Sequence, residues 1–135
     1  MTLTRALSMY AVTLPIFFAI DLVWLGVVAK NFYRQHLGHL LSPQVDWTSA
    51  ILFYLVFIAG IVFFAVKPAL EVNSSLRALT YGALFGFLTY ATYDLTNQAT
   101  LRDWPVIVTV VDLAWGAVLS ASVAYLSYQV TVRAL

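Results

Sequence analysis

Four long apolar stretches follow one another along the chain, and short polar segments separate them. They cover residues 6–29, 48–66, 77–96 and 105–129. Crossing a bilayer takes about 20 apolar residues in a helix. Because backbone polar groups in lipid must be satisfied within their own segment, each stretch is predicted to be an α-helix. The pattern predicts an all-α, polytopic membrane protein: a single four-transmembrane-helix bundle over residues 1–135.

The connection between the first two stretches, residues 30–47, has a helical pattern of its own. In its segment NFYRQHLGHLL, apolar side chains fall on one side of a helical wheel and polar ones largely on the other. This is typical of a short amphipathic helix on a membrane surface. We therefore expect an interfacial helix here, ended by Pro43. Its apolar side comprises Phe32, Tyr33, His36, Leu37, Leu40 and Leu41.

Residues before the apolar stretches have side chains suited to helix starts. Asp46 is expected to cap the second helix, Asn73–Ser75 the third, and Asp103 the fourth, with Pro105 in its first turn. Pro15 lies inside the first stretch, where it removes one helical hydrogen bond and is expected to bend the helix.

Composition agrees with a membrane protein and excludes several other classes. The chain is 62% hydrophobic and 10% charged, whereas soluble domains have about 25% charged residues. The net charge is +1 and the seven Lys and Arg are scattered, so no nucleic-acid partner is expected. There is no cysteine, which excludes disulfides, thiolate metal sites and cysteine nucleophiles. We predict no metal site and no cofactor.

Four spans would place both termini on one side of the membrane, here named side A; the other side is side B. Side A receives slightly more cations, which favours cytoplasmic termini. We expect a multi-pass protein of a bacterial inner membrane. The cations are Arg5, Lys67, Arg77 and Arg133 on side A, and Lys30, Arg34 and Arg102 on side B.

Three aspartates interrupt the apolar stretches: Asp21, Asp94 and Asp112. Counted from the ends of the stretches, all three are predicted in the half of the membrane that faces side B, with Tyr54 at similar depth. An aspartate at the centre of a membrane helix costs about 2.5–3.5 kcal/mol. Pairing, protonation or a wet cavity must offset that cost. Intramembrane ionisable residues of this kind are candidates for a functional site.

Helical phase directs the three carboxylates toward one interior pocket. The segment GALFG, from Gly82 to Gly86, is a G-x-x-x-G motif that lets another helix approach closely. Trp24 and Trp115 are expected to form apolar walls. The candidate pocket residues are Asp21, Trp24, Tyr54, Tyr90, Tyr93, Asp94, Asn97, Asp112 and Trp115.

Structural roles compete with these functional ones. The aspartates would fix helix register if they bond only to neighbouring side chains, and the tryptophans would then serve as packing or interfacial anchors. His36 and His39 are expected at the surface. Arg102 is either an interfacial anchor or a counter-charge for Asp94. The segments AIDLVWLGVVA and VVDLAWGAVLS share D-L-x-W, which indicates either a duplication or a chance similarity of apolar helices.

Several segments resemble a family of small predicted bacterial inner-membrane proteins of unknown function. They are DLVWLG, FYRQHLGHLL, YATYDLTNQATLRDWP and DLAWG, and the resemblance covers nearly the whole chain. It implies a four-helix inner-membrane protein and no settled reaction. The residues it implies as recurring are Asp21, Trp24, Tyr93, Asp94, Asn97, Trp104, Pro105, Asp112, Trp115 and Gly116.

Three functions fit the sequence. The first is a binding or transport-type protein whose carboxylate-lined pocket takes a proton, a cation or a small amphiphile. The second is an intramembrane enzyme acting on a lipid or isoprenoid by acid–base catalysis, with Asp94 or Asp112 as the acid–base group. The third is a structural or accessory subunit that uses the G-x-x-x-G face. Expected partners are the lipid bilayer, a small-molecule or lipid ligand, and further copies of the chain.

Overall fold

The computed structural model describes residues 2–135, and in that range the secondary structure is helical. Two π-helical segments occur: Trp24–Val28 extends the first helix, and Val62–Val66 joins the third to the fourth. Four long helical rods result, formed by α1, by α3 together with α4, by α5 and by α6. The α-helices are α1 (Leu3–Val23), α2 (Phe32–Leu37), α3 (Trp47–Ile61), α4 (Lys67–Glu71), α5 (Ser75–Thr100) and α6 (Val106–Ala134).

Three of the rods are long and apolar enough to cross a membrane. They are Leu3–Val28, Trp47–Glu71 and Val106–Ala134, with 26, 25 and 29 residues. Helix α5 has 26 residues but is not among them. Its many Thr, Tyr and Gly residues lower its mean hydropathy. The all-helical membrane class is therefore confirmed, and a span formed by α5 stays a prediction.

The rods pack side by side around an apolar core. Helix α1 contacts both α3 and α6, and α5 contacts α6 and the π-helical segment Val62–Val66. The second and third rods are joined by residues 72–74 and the third and fourth by residues 101–105, and such short connections make these neighbouring rods antiparallel. Aromatic rings from three rods meet in the core, where Phe57 packs edge-to-face on Phe17 and stacks on Phe85. Fully buried apolar side chains include Met9, Phe17, Ile58, Ile61, Leu119 and Val123.

Glycines allow α5 and α6 to approach closely. A Cβ atom on Gly82 would lie 2.6 Å from the carbonyl oxygen of Ser120, and one on Gly86 would overlap the carbonyl oxygen of Gly116. Gly116 is equally confined, because its Cβ would lie 2.8 Å from the carbonyl oxygen of Gly86. The close approach predicted from G-x-x-x-G is therefore observed. Its partner is α6 of the same chain.

Two of the predicted helix starts are capped as expected. An Asp46 carboxylate oxygen accepts a hydrogen bond of 3.2 Å from the backbone N–H of Ser49. The Ser74 hydroxyl accepts one of 3.1 Å from the N–H of Arg77. Each bond satisfies a backbone donor that the first helical turn leaves free. Pro15 lies inside α1, as predicted, and the bend expected there stays a prediction.

Two boundary predictions were wrong. Helix α2 ends at Leu37, before Pro43, so the exposed Leu40 and Leu41 lie beyond it and cannot belong to its apolar side. Asp103 does not cap α6. It takes a left-handed conformation with φ of 57° in the tight turn before the helix, and Pro105 occupies the N-cap position without a side-chain bond.

Candidate functional site

The three aspartates that were predicted to lie within the membrane are all buried, and they come from three different helices. Asp21 on α1 is 5% exposed, Asp94 on α5 is 0% exposed, and Asp112 on α6 is 6% exposed. The one salt bridge within residues 2–135 joins Lys67 to Glu71, in another part of the molecule. Arg102 therefore does not pair with Asp94. No side chain of the described chain supplies a cation to the three carboxyl groups.

Asp112 is bound by a residue of the connection between the first two rods. The Tyr33 hydroxyl on α2 donates a hydrogen bond of 2.6 Å to Oδ1 of Asp112 and accepts one of 3.1 Å from the indole Nε1–H of Trp24. Burial raises the pKa of the Tyr33 phenol above its ordinary value, and the neighbouring Asp112 raises that pKa further. Tyr33 thus closes a chain of bonds that links α1, α2 and α6.

Asp21 has a comparable environment on the other side of the tryptophan pair. Its carboxyl group lies beside the indole of Trp115 and the phenol of Tyr54. The indole N–H of Trp115 nevertheless makes no hydrogen bond within residues 2–135, so the contact is close but not aligned. Asp112 therefore accepts a direct hydrogen bond from a tyrosine, whereas Asp21 lies next to a tyrosine and next to an indole N–H that has no partner within residues 2–135.

The two D-L-x-W segments interlock through their tryptophans. The rings of Trp24 and Trp115 stack with centroids 4.4 Å apart and planes 9° from parallel. Trp115 lies beside Asp21 of the other segment, while Trp24 reaches Asp112 through the Tyr33 hydroxyl. The tryptophans are therefore more than apolar walls, since each places an indole N–H near the opposite carboxylate.

Asp94 is the least satisfied of the three aspartates. Neither of its carboxyl oxygens has a hydrogen-bond partner within residues 2–135, although the carboxyl group of Asp112 lies next to it. Burying an ionised carboxylate without a partner is very costly. Asp94 therefore needs a proton, or a cationic or hydrogen-bonding partner from outside the chain.

The remaining predicted residues occupy different positions. Tyr90 lies among the aspartates and Tyr54, with its ring against Gly116. Tyr93 lies beside Asp94, is 59% exposed and packs edge-to-face on Trp104, and Asn97 lies beside Tyr93. The structure thus brings together Asp21, Trp24, Tyr54, Tyr90, Tyr93, Asp94, Asp112 and Trp115.

A cavity of about 270 Å³ opens in front of Asp112, between α3 and α5. Its other lining residues are Phe53, Thr89, Tyr90 and Tyr93. Phe53 and Thr89 also line a shallow groove of about 410 Å³ between the same two helices. The rest of that groove is largely aromatic and aliphatic. An apolar path therefore leads from the outer surface of the protein to a buried carboxylate.

Three residues of this site were not predicted from the sequence. Tyr33 was assigned to the apolar side of an interfacial helix, and Phe53 and Thr89 were not singled out. Tyr33 had one available signal, because a tyrosine on the inner side of a helix is able to bury its ring and still donate its hydroxyl. Phe53 and Thr89 had none, since such residues are ordinary in apolar helices.

Comparison with known proteins supports the membrane class. A family model described as "Predicted membrane protein (DUF2177)" matches residues 6–129. The chain belongs to the DUF2177 family. The resemblance to a membrane-protein family of unknown function is thereby confirmed, whereas a bacterial origin and the recurring residues stay predictions. No curated protein and no solved structure matches this DUF2177 chain.

Proposed function

We propose that this chain is a four-span membrane protein that binds a hydrophobic organic cation, such as an alkylammonium amphiphile, in the cavity in front of Asp112. The observation that carries the proposal is a cluster of three buried carboxyl groups with no cation from residues 2–135 beside it. The cluster lies next to a cavity that opens onto an apolar groove. Among a proton, a cation and a small amphiphile, this geometry favours an amphiphile with a cationic head.

The exposed residues of α5 support its role as a fourth span. Several of its large exposed side chains are aliphatic, with Leu84 55%, Leu88 61% and Leu95 52% exposed. Its glycines and Asp94 are turned inward and buried. A helix of 26 residues is about 39 Å long, enough to cross a bilayer core of about 30 Å. In this arrangement α2 lies at the side-B interface, and both termini lie on side A, in the cytoplasm of a bacterial cell.

The lining of the cavity is suited to an ammonium group. Phe53, Tyr90 and Tyr93 present aromatic rings, and Asp112 presents a carboxylate. Aromatic faces attract cations, and the attraction grows when water is excluded. A carboxylate in the same cavity adds charge complementarity that is weakly screened in a low dielectric. The adjoining groove supplies apolar contacts for an alkyl chain.

Binding of hexadecyltrimethylammonium to the protein in lipid nanodiscs tests this proposal. Asp112→Asn keeps the shape of the side chain and removes its charge, so we expect it to weaken binding at least tenfold. Asp103→Asn is the matched control, because Asp103 lies in the exposed turn before α6 and outside the cavity. Unchanged affinity in Asp112→Asn would mean that the carboxylates have a structural role only.

An intramembrane enzyme is the second candidate, and one observation favours it. The unpartnered carboxyl group of Asp94 lies next to that of Asp112, and such a pair is able to hold and transfer a proton. The open groove would give a lipid or isoprenoid access. Mass spectrometry of lipid extracts incubated with the protein tests this, because turnover that is lost in Asp94→Asn while binding persists would identify an enzyme.

The accessory-subunit hypothesis has less support. Its proposed contact face contains Gly82 and Gly86, and both glycines are buried against α6 of the same chain. A partner protein would need a different surface. Copurification of a larger complex from membranes would support this hypothesis.

A further inference from the structure

A second polar feature lies at the opposite end of the rods, on side A, and it is positively charged. Arg5 of α1 and Lys67 of α4 line one cavity of about 280 Å³ together with Leu70 and Glu71. The Lys67 ammonium lies 3.7 Å from Glu71, whose side chain is 61% exposed. Arg5 has no salt bridge within residues 2–135. Two cations against one anion leave this cavity with a net positive charge.

An apolar groove begins at the same lysine. It has a volume of about 290 Å³, and its lining includes Leu7, Tyr10, Ala59, Phe63 and Lys67. Eight residues separate Lys67 from Ala59, so the groove extends roughly 12 Å along the rod, away from side A. The Lys67 ammonium lies 4.9 Å from the centroid of the Phe63 ring. The Lys67 ammonium therefore lies at the outer end of this apolar groove between α1 and α3.

We propose that Arg5, Lys67 and this groove form a binding site for one anionic phospholipid. The phosphate would lie between the two cations, and one acyl chain would follow the groove past Phe63 to Ala59. Cations from separate helices above an apolar groove recognise a headgroup by charge and a chain by contact area. The charge of this site is opposite to that of the aspartate cluster, so the organic cation proposed for that cluster does not suit this site. The inference does not rest on the function proposed above, although Ala59 and Phe63 also line the groove between α3 and α5.

Native mass spectrometry of the detergent-purified protein, titrated with phosphatidylglycerol, tests the site. We expect Arg5→Gln and Lys67→Gln each to weaken binding roughly fivefold, which is the effect of one basic residue near an anionic headgroup. Arg133→Gln is the matched control, because Arg133 is an exposed cation at the same end of the molecule that lines neither cavity. Its affinity should stay within twofold of the wild type.

Two further measurements separate a lipid site from a simple phosphate site. Leu7→Gln places a polar group in this groove without changing charge, and Leu7 does not line the groove between α3 and α5, so the variant should weaken phosphatidylglycerol binding about as much as the loss of one cation. Phosphatidylcholine should bind at least fivefold more weakly than phosphatidylglycerol. Equal binding of the two lipids, or full displacement of phosphatidylglycerol by millimolar inorganic phosphate, would overturn the proposal. Because Arg5 is exposed, Arg5→Gln remains informative even if Lys67→Gln fails to fold.

Discussion

Replacing Tyr33 by Phe removes the hydroxyl that joins α2 to Trp24 at the end of the first rod and to Asp112 on α6. That hydroxyl donates to Asp112 and accepts from Trp24. A hydrogen bond to a charged acceptor contributes about 1.5–3 kcal/mol, and an ordinary one about 1 kcal/mol. Because Tyr33 is only half-buried, water replaces part of what is lost. We expect Tyr33→Phe to lower the free energy of unfolding by about 1.5–3 kcal/mol.

Reversible unfolding in mixed micelles with increasing SDS, followed by tryptophan fluorescence, measures this change. A double-mutant cycle with Asp112→Ala isolates the bond itself, and we expect a coupling free energy of about 1–2 kcal/mol. Tyr81→Phe is the control, since Tyr81 is an exposed tyrosine of α5 whose ring lies under Arg77. It should change stability by less than about 0.5 kcal/mol. Additive effects of Tyr33→Phe and Asp112→Ala, within about 0.5 kcal/mol, would refute the reasoning.

Three further predictions use the same unfolding measurement. Gly86→Ala forces a methyl group against the backbone of Gly116 and should lower the free energy of unfolding by about 1–3 kcal/mol. The control Gly26→Ala adds its methyl group in open space and should not destabilise the protein. Equal effects of the two variants would contradict the close approach of α5 and α6. Ser74→Ala removes the cap of α5 and should cost about 1 kcal/mol, and no loss would mean that water replaces the cap. Because the pKa of the Tyr33 phenol is raised in the folded state, its contribution to the free energy of unfolding is complete below pH ~10. That contribution is lost as the pH rises further. Stability of the wild type should therefore fall more steeply above pH ~10 than that of Tyr33→Phe, and parallel curves would contradict the raised pKa.

Hydrophobic pattern and helix capping were sufficient to predict the four long helical rods, but not the π-helical segments Trp24–Val28 and Val62–Val66. The apolar stretches are helical over nearly their whole length, and Asp46 caps as expected, because a long apolar run and a short polar side chain act locally. The two boundary errors have a shared cause. At Asp103 and at Pro43 the chain turns within a few residues, and the backbone conformation there depends on how neighbouring rods pack. Local sequence does not determine that packing.

The depth of a residue along a helix can be counted from the sequence, whereas the neighbours that its side chain meets depend on how the helices pack. The count placed Asp21, Asp94 and Asp112 in one layer, and the structure brings them together. It could not predict that Tyr33 reaches Asp112, because 79 residues separate the two and α2 is only six residues long. Tyr93 lines the cavity in front of Asp112, as its helical phase suggested, but the phase could not predict that 59% of the residue would be exposed.

The close contact between α5 and α6 has a consequence for how the chain enters the membrane. Among the four proposed spans α5 is the least apolar. It contains the buried Asp94, whose carboxyl oxygens have no hydrogen-bond partner within residues 2–135. Such a helix would partition poorly into lipid by itself. Its glycines fit α6, and only residues 101–105 separate the two helices. Helices α5 and α6 should therefore leave the translocon together as a hairpin, so that a chain truncated after residue 100 would leave α5 outside the bilayer.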